Sequence, residues 1–136
     1  MRFPYHGAGI LLAVKYKNTY RVLLGKRTKK LFNGKYCVPG GFCEKGETEY
    51  QTARRETREE AGFDIEDIRA TALGSWSLSL PFFSWKTFIF VAENEPVLSM
   101  DEFSDLGFFE IKKVKDLRTR PFTLSEVEKL RKLISN

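Results

Sequence analysis

Apolar residues fill positions 9–16, GILLAVKY, and return over positions 20–26, YRVLLGK, with the turn-like Lys17-Asn18-Thr19 between them. Two β-prone runs separated by so short a polar break predict a hairpin. The basic stretch 26–30 leads to Phe32-Asn33-Gly34, a turn signal, and then to a short strand over 35–38 that Pro39-Gly40-Gly41 stops. Thr48 and Gln51 have the spacing of a capping box, and Glu49 sits in the first turn, where the helix dipole favours an anion. The helix is predicted to reach about Ala61, with Gly62 as its C-terminal stop. Tyr50, Ala53, Thr57 and Ala61 share one side of it and are expected to pack against a sheet. Strands are predicted over 68–80, interrupted near Gly74, over 85–92 with KTFIFVA in its core, and near 107–111. A second helix is predicted from Thr123 to about Ile134, with Glu126 completing another capping box. Strands and two helices in this mixed order imply an α/β or α+β sandwich, as a single domain over residues 1–136.

Composition narrows the function classes. Lys and Arg number 23 against 18 Asp and Glu, a formal charge of +5, which favours anionic partners such as nucleotides or nucleic acid. A plain basic surface accounts for that charge equally well. His6 is the only histidine, which argues against histidine-rich metal sites and Ser-His-Asp triads. Cys37 and Cys43 lack the C-x-x-C spacing of a redox or zinc site and read as structural thiols in a reducing compartment. No window approaches the roughly 18 apolar residues of a membrane span, and the start of the chain, MRFPYHGAG, has no signal-peptide pattern. A soluble, cytoplasmic protein without a membrane partner is expected.

The unusual feature is a helix end crowded with carboxylates. Glu56, Glu59 and Glu60 stand at i, i+3 and i+4, within an arc of roughly 100° on the helix. Like charges at that spacing destabilise a helix by a few tenths of a kcal/mol per pair, and the negative end of the dipole adds to the penalty. Glu59 has a basic neighbour four residues back, Arg55; Glu56 lies between Thr52 and Glu60, and Glu60 between Glu56 and Asp64. A cation over this face would explain the arrangement. Carboxylates with no nearby histidine suit Mg²⁺ or Mn²⁺. The alternative is a solvated acidic face held by pairs with arginine.

The register around the cluster discriminates further. From Gly41 the chain reads glycine, five residues, Glu47, seven residues, Arg55-Glu56, two residues, Glu59-Glu60, Ala61, Gly62, Phe63. This resembles the Nudix box of the Nudix hydrolase family, G-x5-E-x7-R-E-U-x-E-E-x-G-U, with U an apolar residue. The fixed positions all match; Thr57 alone departs, at the first U, where its β-branched bulk is kept and its hydroxyl is expected to bond the Ala53 carbonyl. Flanking segments are similar to the family as well: YCVPGG over 36–41, VLLGKR over 22–27, and Phe108-Phe109-Glu110-Ile111 with Leu117.

The resemblance implies a fold, an α/β/α sandwich with a mixed sheet between helices, and a chemistry. The chemistry is Mg²⁺-dependent attack of water on a phosphoanhydride in a nucleoside diphosphate linked to another group, such as a (d)NTP or a nucleotide derivative. It assigns Glu56, Glu59 and Glu60 as catalytic residues and metal ligands, with the Gly40 carbonyl joining them; Glu56 is ligand or base, the two roles unseparated. Glu47 and Arg55 become a salt bridge that braces the loop before the helix, and Gly41 and Gly62 supporting positions. Glu102 is the chosen extra carboxylate, with Asp101 and Glu93 as alternatives, and Arg27, with Lys29 and Lys30, a candidate for substrate phosphates. Trp76, Phe82, Phe83 and Trp85 could stack a base but read more readily as core. The expected partner is an anionic small-molecule nucleotide, nucleic acid being the less favoured; the oligomeric state, monomer or homodimer, is open. Two alternatives remain: an RNA 5′-end pyrophosphohydrolase, and a non-catalytic nucleotide-sensing Nudix domain. The retained glutamates argue against the second.

Overall fold

The computed structural model describes residues 4–28, 32–99 and 103–135. Strands β1 (Tyr5–Tyr16) and β2 (Thr19–Arg27) form the expected hairpin, and β3 (Tyr36–Cys37) and β4 (Gly40–Phe42) precede helix α1 (Glu49–Ala61). Then follow β5 (Ala70–Ser79), β6 (Phe83–Ala92), β7 (Phe103–Glu110), a short 3-10 helix (Ile111–Asp116) and α2 (Thr123–Ser135). The described strands make one mixed sheet in the order β3-β2-β1-β6-β5, with β4 added to β1 and β7 to β2. β1 runs parallel to β6, from Tyr5 opposite Phe83 to Val14 opposite Ala92; its other pairings are antiparallel.

Alternation along β1 builds the two sides of the core. Ile10, Leu12 and Val14 pack with Ala53 and Ala61 of α1, while Leu11 and Ala13 pack with Val127 and Leu130 of α2. Helices therefore cover both faces, and the sheet lies between them as the sequence resemblance implies. The α1 boundaries form as the local signals dictate. The Thr48 side chain accepts from the Gln51 N–H, the Gln51 side-chain oxygen accepts from the Thr48 N–H, and Gly62 closes the helix in the left-handed conformation at φ +83°. Gly74 marks a break as expected, where the β5–β6 register shifts.

The short strand β3 stops at Cys37, before Pro39-Gly40-Gly41, as expected; unforeseen is β4, which starts at Gly40 and pairs with Gly7, Ala8 and Gly9 of β1. Two expectations are corrected. β1 itself starts at Tyr5, earlier than its apolar run, because its first residues gain partners on β4 and β6. On α2, Thr123 and Glu126 do not form a capping box. The Thr123 hydroxyl donates to the Tyr36 carbonyl at 3.4 Å, and the Glu126 carboxylate turns into the core. There it accepts the Thr87 hydroxyl and pairs with Arg120 at 3.3 Å. Burial pushes the Glu126 carboxyl upward, against the lowering influence of Arg120 and Thr87. Among the described residues no helix is long and apolar enough to cross a membrane.

Candidate active site at the carboxylate end of the first helix

The site is built where β4 meets α1. Gly40 lies so close to β1 that a Cβ there would stand 2.5 Å from the Ala8 carbonyl and 2.9 Å from the Trp85 ring. Glycine is what permits the approach. Its N–H donates to Glu60 Oε1 at 2.8 Å. Glu60 is only 3% exposed, so a charged group has been drawn off the helix surface and satisfied by backbone. Gly41 faces the other carboxylate: a Cβ there would meet Glu56 Oε1 at 2.5 Å.

Arg55 organises the rest. Its Nε reaches Glu47 Oε2 at 2.6 Å and its Nη2 reaches Glu47 Oε1 at 3.0 Å, a bidentate pair. Its Nη1 also donates to Glu56 at 3.1 Å and to Glu59 at 2.8 Å, and Nη2 to the Phe42 carbonyl at 3.4 Å. Glu47 additionally accepts the Glu44 N–H at 2.9 Å and the Thr52 hydroxyl at 2.8 Å. The Arg55 hydrogen bonds, backed by these two donors, hold the Glu47 carboxyl far below the usual carboxylate range, at about 2. The Glu56–Arg55 contact joins adjacent residues and so escapes an i, i+4 reading; it exists because Gly41 leaves room for the Glu56 carboxylate beside β4.

Arg27 lies at the end of β2, its Nη1 4.0 Å from Cys37 Sγ. Burial pushes the Cys37 thiol upward, against the lowering influence of Arg120 and Arg27. Gly62 is required twice, by its positive φ and by Ser99, whose Oγ would lie 2.0 Å from an added Cβ. Ser99 also donates its N–H to the Ala61 carbonyl at 2.9 Å. Glu102, its alternative Asp101, and Lys29 and Lys30 lie outside the described residues. Glu93 is exposed just beyond β6. Thr57 is fully buried and its hydroxyl has no hydrogen-bond partner among the described residues, so the expected bond to the Ala53 carbonyl is not made.

Several contacts had no sequence signal. Arg54 forms a bidentate clamp on Asp64, with both contacts at 2.8 Å, and fastens the C-terminal end of α1 to the loop after it. Of the aromatics, Trp85 is 4% exposed and belongs to the core, whereas Phe82 is 63% exposed. A cleft of about 580 Å³ opens beside the N-terminal end of α1, lined by Pro4, His6, Phe42, Cys43, Glu44 and Thr48 among others; Glu56, Glu59 and Glu60 do not line it.

The donor set of Glu56, Glu59, Glu60 and backbone carbonyls is hard oxygen, the chemistry that suits Mg²⁺ or Mn²⁺. Among the described residues no three acidic, histidine or cysteine side chains converge on one point as they stand, because Arg55 holds Glu56 and Glu59 and the Gly40 N–H holds Glu60. A cation entering the cluster therefore competes with Arg55 for the same oxygens.

Comparison with known proteins places the geometry. A family model, the NUDIX domain, matches residues 6–129. A curated relative, the NAD-capped RNA hydrolase NudC of Vibrio atlanticus (strain LGP32), is 31% identical over 120 residues; the match covers 86% of this chain and 42% of that protein. A Nudix hydrolase from M. Smegmatis, RenU, superposes with a TM-score of 0.79 at 22% identity, covering 97% of this chain and 86% of its own. A C. elegans Ap4A hydrolase binary complex also gives a TM-score of 0.79, at 20% identity, covering 96% of this chain and 98% of its own.

Proposed function

The chain belongs to the NUDIX domain family, and from that premise we propose that it hydrolyses, with Mg²⁺, a phosphoanhydride bond in a nucleoside diphosphate linked to another group. The observation that carries this reading is that, at one end of α1, Glu60 accepts the Gly40 N–H and Glu56 lies against Gly41, while Arg55 joins Glu56 to Glu59. The cation supplies neutralisation of phosphate charge and a more acidic water. Glu56, Glu59 and Glu60 would hold it, with the Gly40 carbonyl and Glu102 as further ligands. Glu56 would ligate the cation or take the proton of the attacking water. Arg55 and Glu47 would keep the loop and helix in register, and Arg27 would bind the substrate phosphates. Mn²⁺ is an acceptable replacement on donor chemistry.

A panel of (d)NTPs, oxidised dGTP, ADP-ribose, nucleotide sugars, dinucleoside polyphosphates and capped or triphosphorylated RNA tests the reading. With Mg²⁺ at alkaline pH at least one is expected to be cleaved at its anhydride, with chelator and Glu60→Gln each abolishing turnover. Failure of every substrate with both Mg²⁺ and Mn²⁺ would overturn it in favour of a nucleotide sensor. A second reading, action on the 5′ end of RNA, is favoured by the name of the curated relative and by the +5 charge. Preference for capped or triphosphorylated RNA over the small nucleotides in the same panel separates the two.

A further inference from the structure

The chemistry above makes no use of the ion pair between Arg120 and Glu126, which are 3% and 0% exposed. A buried pair of this kind is a poor device for stability alone, since apolar side chains of similar volume often serve as well or better. Its location is informative. Glu126 accepts the Thr87 hydroxyl, and Thr87 Oγ1 accepts the Trp85 indole N–H at 2.7 Å, so the chain of bonds sets the orientation of the indole. That ring lies directly over the backbone of three glycines. A Cβ on Gly7, Gly9 or Gly40 would come within 2.5, 3.1 or 2.9 Å of its carbons.

Arg120 holds the same segment from the other end. Its guanidinium spans the rings of Trp85 and Phe122, 4.6 and 4.0 Å from their centroids. Its backbone N–H donates to the Tyr36 carbonyl at 3.0 Å, the acceptor that Thr123 shares, while the Tyr36 N–H donates to the Arg118 carbonyl at 2.7 Å. The segment from Tyr36 to Gly40 is thus gripped at both ends by groups that converge on Glu126. Its last residue supplies the N–H that holds Glu60.

We propose that Glu126 is a positioning residue: through Thr87 and Trp85 on one side and Arg120 on the other, it fixes the Gly40 backbone and with it the Glu60 carboxylate. The inference rests on the reading of Glu60 as a site carboxylate. It assigns a purpose to polar groups that an apolar core would not need, because an error of about 1 Å in a reacting group can cost on the order of a hundredfold in rate.

Thr87→Val removes the hydroxyl with little change of shape, Thr87→Ser restores it, and Glu126→Gln keeps volume while removing the charge. The probe is the Gly40 amide, followed by its ¹H–¹⁵N shift and hydrogen exchange, with the Leu130 amide as a control for global loosening. Kinetics use whichever panel substrate the unmodified protein cleaves. In Thr87→Val the Gly40 amide is expected to shift and exchange faster while Leu130 stays protected. Its kcat should fall about tenfold with KM changed less than about twofold. Thr87→Ser should return both readouts toward normal, and Glu126→Gln should repeat the Gly40 change, which decides the matter if Thr87→Val fails to fold. A Gly40 amide unmoved in the folded variants overturns the proposal, as does equal loss of protection at Leu130. If the unmodified protein cleaves nothing in the panel, the functional reading fails while the Gly40 amide still decides this coupling.

Discussion

Glu60 Oε1 accepts the backbone N–H of Gly40 at 2.8 Å, which makes one carboxylate both a structural acceptor and a candidate ligand. Its two roles are separable. Glu60→Gln keeps an oxygen for the N–H, whereas Glu60→Ala leaves a buried donor unpaired, at a cost of about 1–3 kcal/mol. The glutamine variant is expected to melt close to the parent and the alanine variant lower, while both lose turnover. Chemical denaturation beside steady-state assays checks this; equal destabilisation by both would show that the bond does not contribute.

Gly40 and Gly41 should respond to alanine in different ways. At Gly40 the new Cβ meets backbone, the Ala8 carbonyl and the Gly9 Cα, which cannot step aside. At Gly41 it meets only the end of the Glu56 side chain. Gly41→Ala is therefore expected to fold but to lose most activity by displacing Glu56, and Gly40→Ala to lose stability outright. Circular dichroism melts and the hydrolysis assay distinguish the two; a fully active Gly41→Ala would show that the position of Glu56 is unimportant.

Glu47 should govern part of the acid limb of stability. Its folded-state pKa is depressed to about 2, so its contribution is fully present above the unfolded carboxyl pKa of roughly 4.3 and is lost as pH falls through about 2. Asp64, lowered chiefly by Arg54, acts with the same sign. Glu47→Gln is expected to flatten the fall in stability between these limits without removing it. Urea midpoints across that range test the point, and an unchanged slope would refute it. At neutral pH, Glu47→Ala should reduce activity less than Glu60→Ala, because its effect on the site passes through Arg55.

Thr57 carries a fully buried hydroxyl without a partner among the described residues. Thr57→Val keeps the branched shape and removes the unsatisfied group, so a gain of about 1 kcal/mol is expected, with activity retained. Destabilisation by this change would mean that the hydroxyl is bonded in solution. Leucine, expected to be neutral if the position only packs, adds volume to a filled space and is the less clean probe.

What the sequence by itself determined is what local geometry enforces. The Thr48–Gln51 cap, the left-handed Gly62 and the Arg55–Glu59 pair all join residues within one helical turn or its immediate flank, where 3.6 residues per turn decides who meets whom. The spacing of the box was legible for the same reason, and with it the carboxylate face. The tertiary structure decided the rest. Pro39-Gly40-Gly41 reads locally as a stop, and β3 does end before it; only the presence of β1 starts a new strand, β4, at Gly40, whose N–H becomes a donor for Glu60. Thr123 and Glu126 have the spacing of a cap, yet that same spacing points Glu126 at the sheet. Thr87 and Arg120, distant along the chain or beyond the helix, provide a stronger set of partners there. Contacts across a sheet depend on register and on which face is covered, and neither is written in any short stretch of sequence.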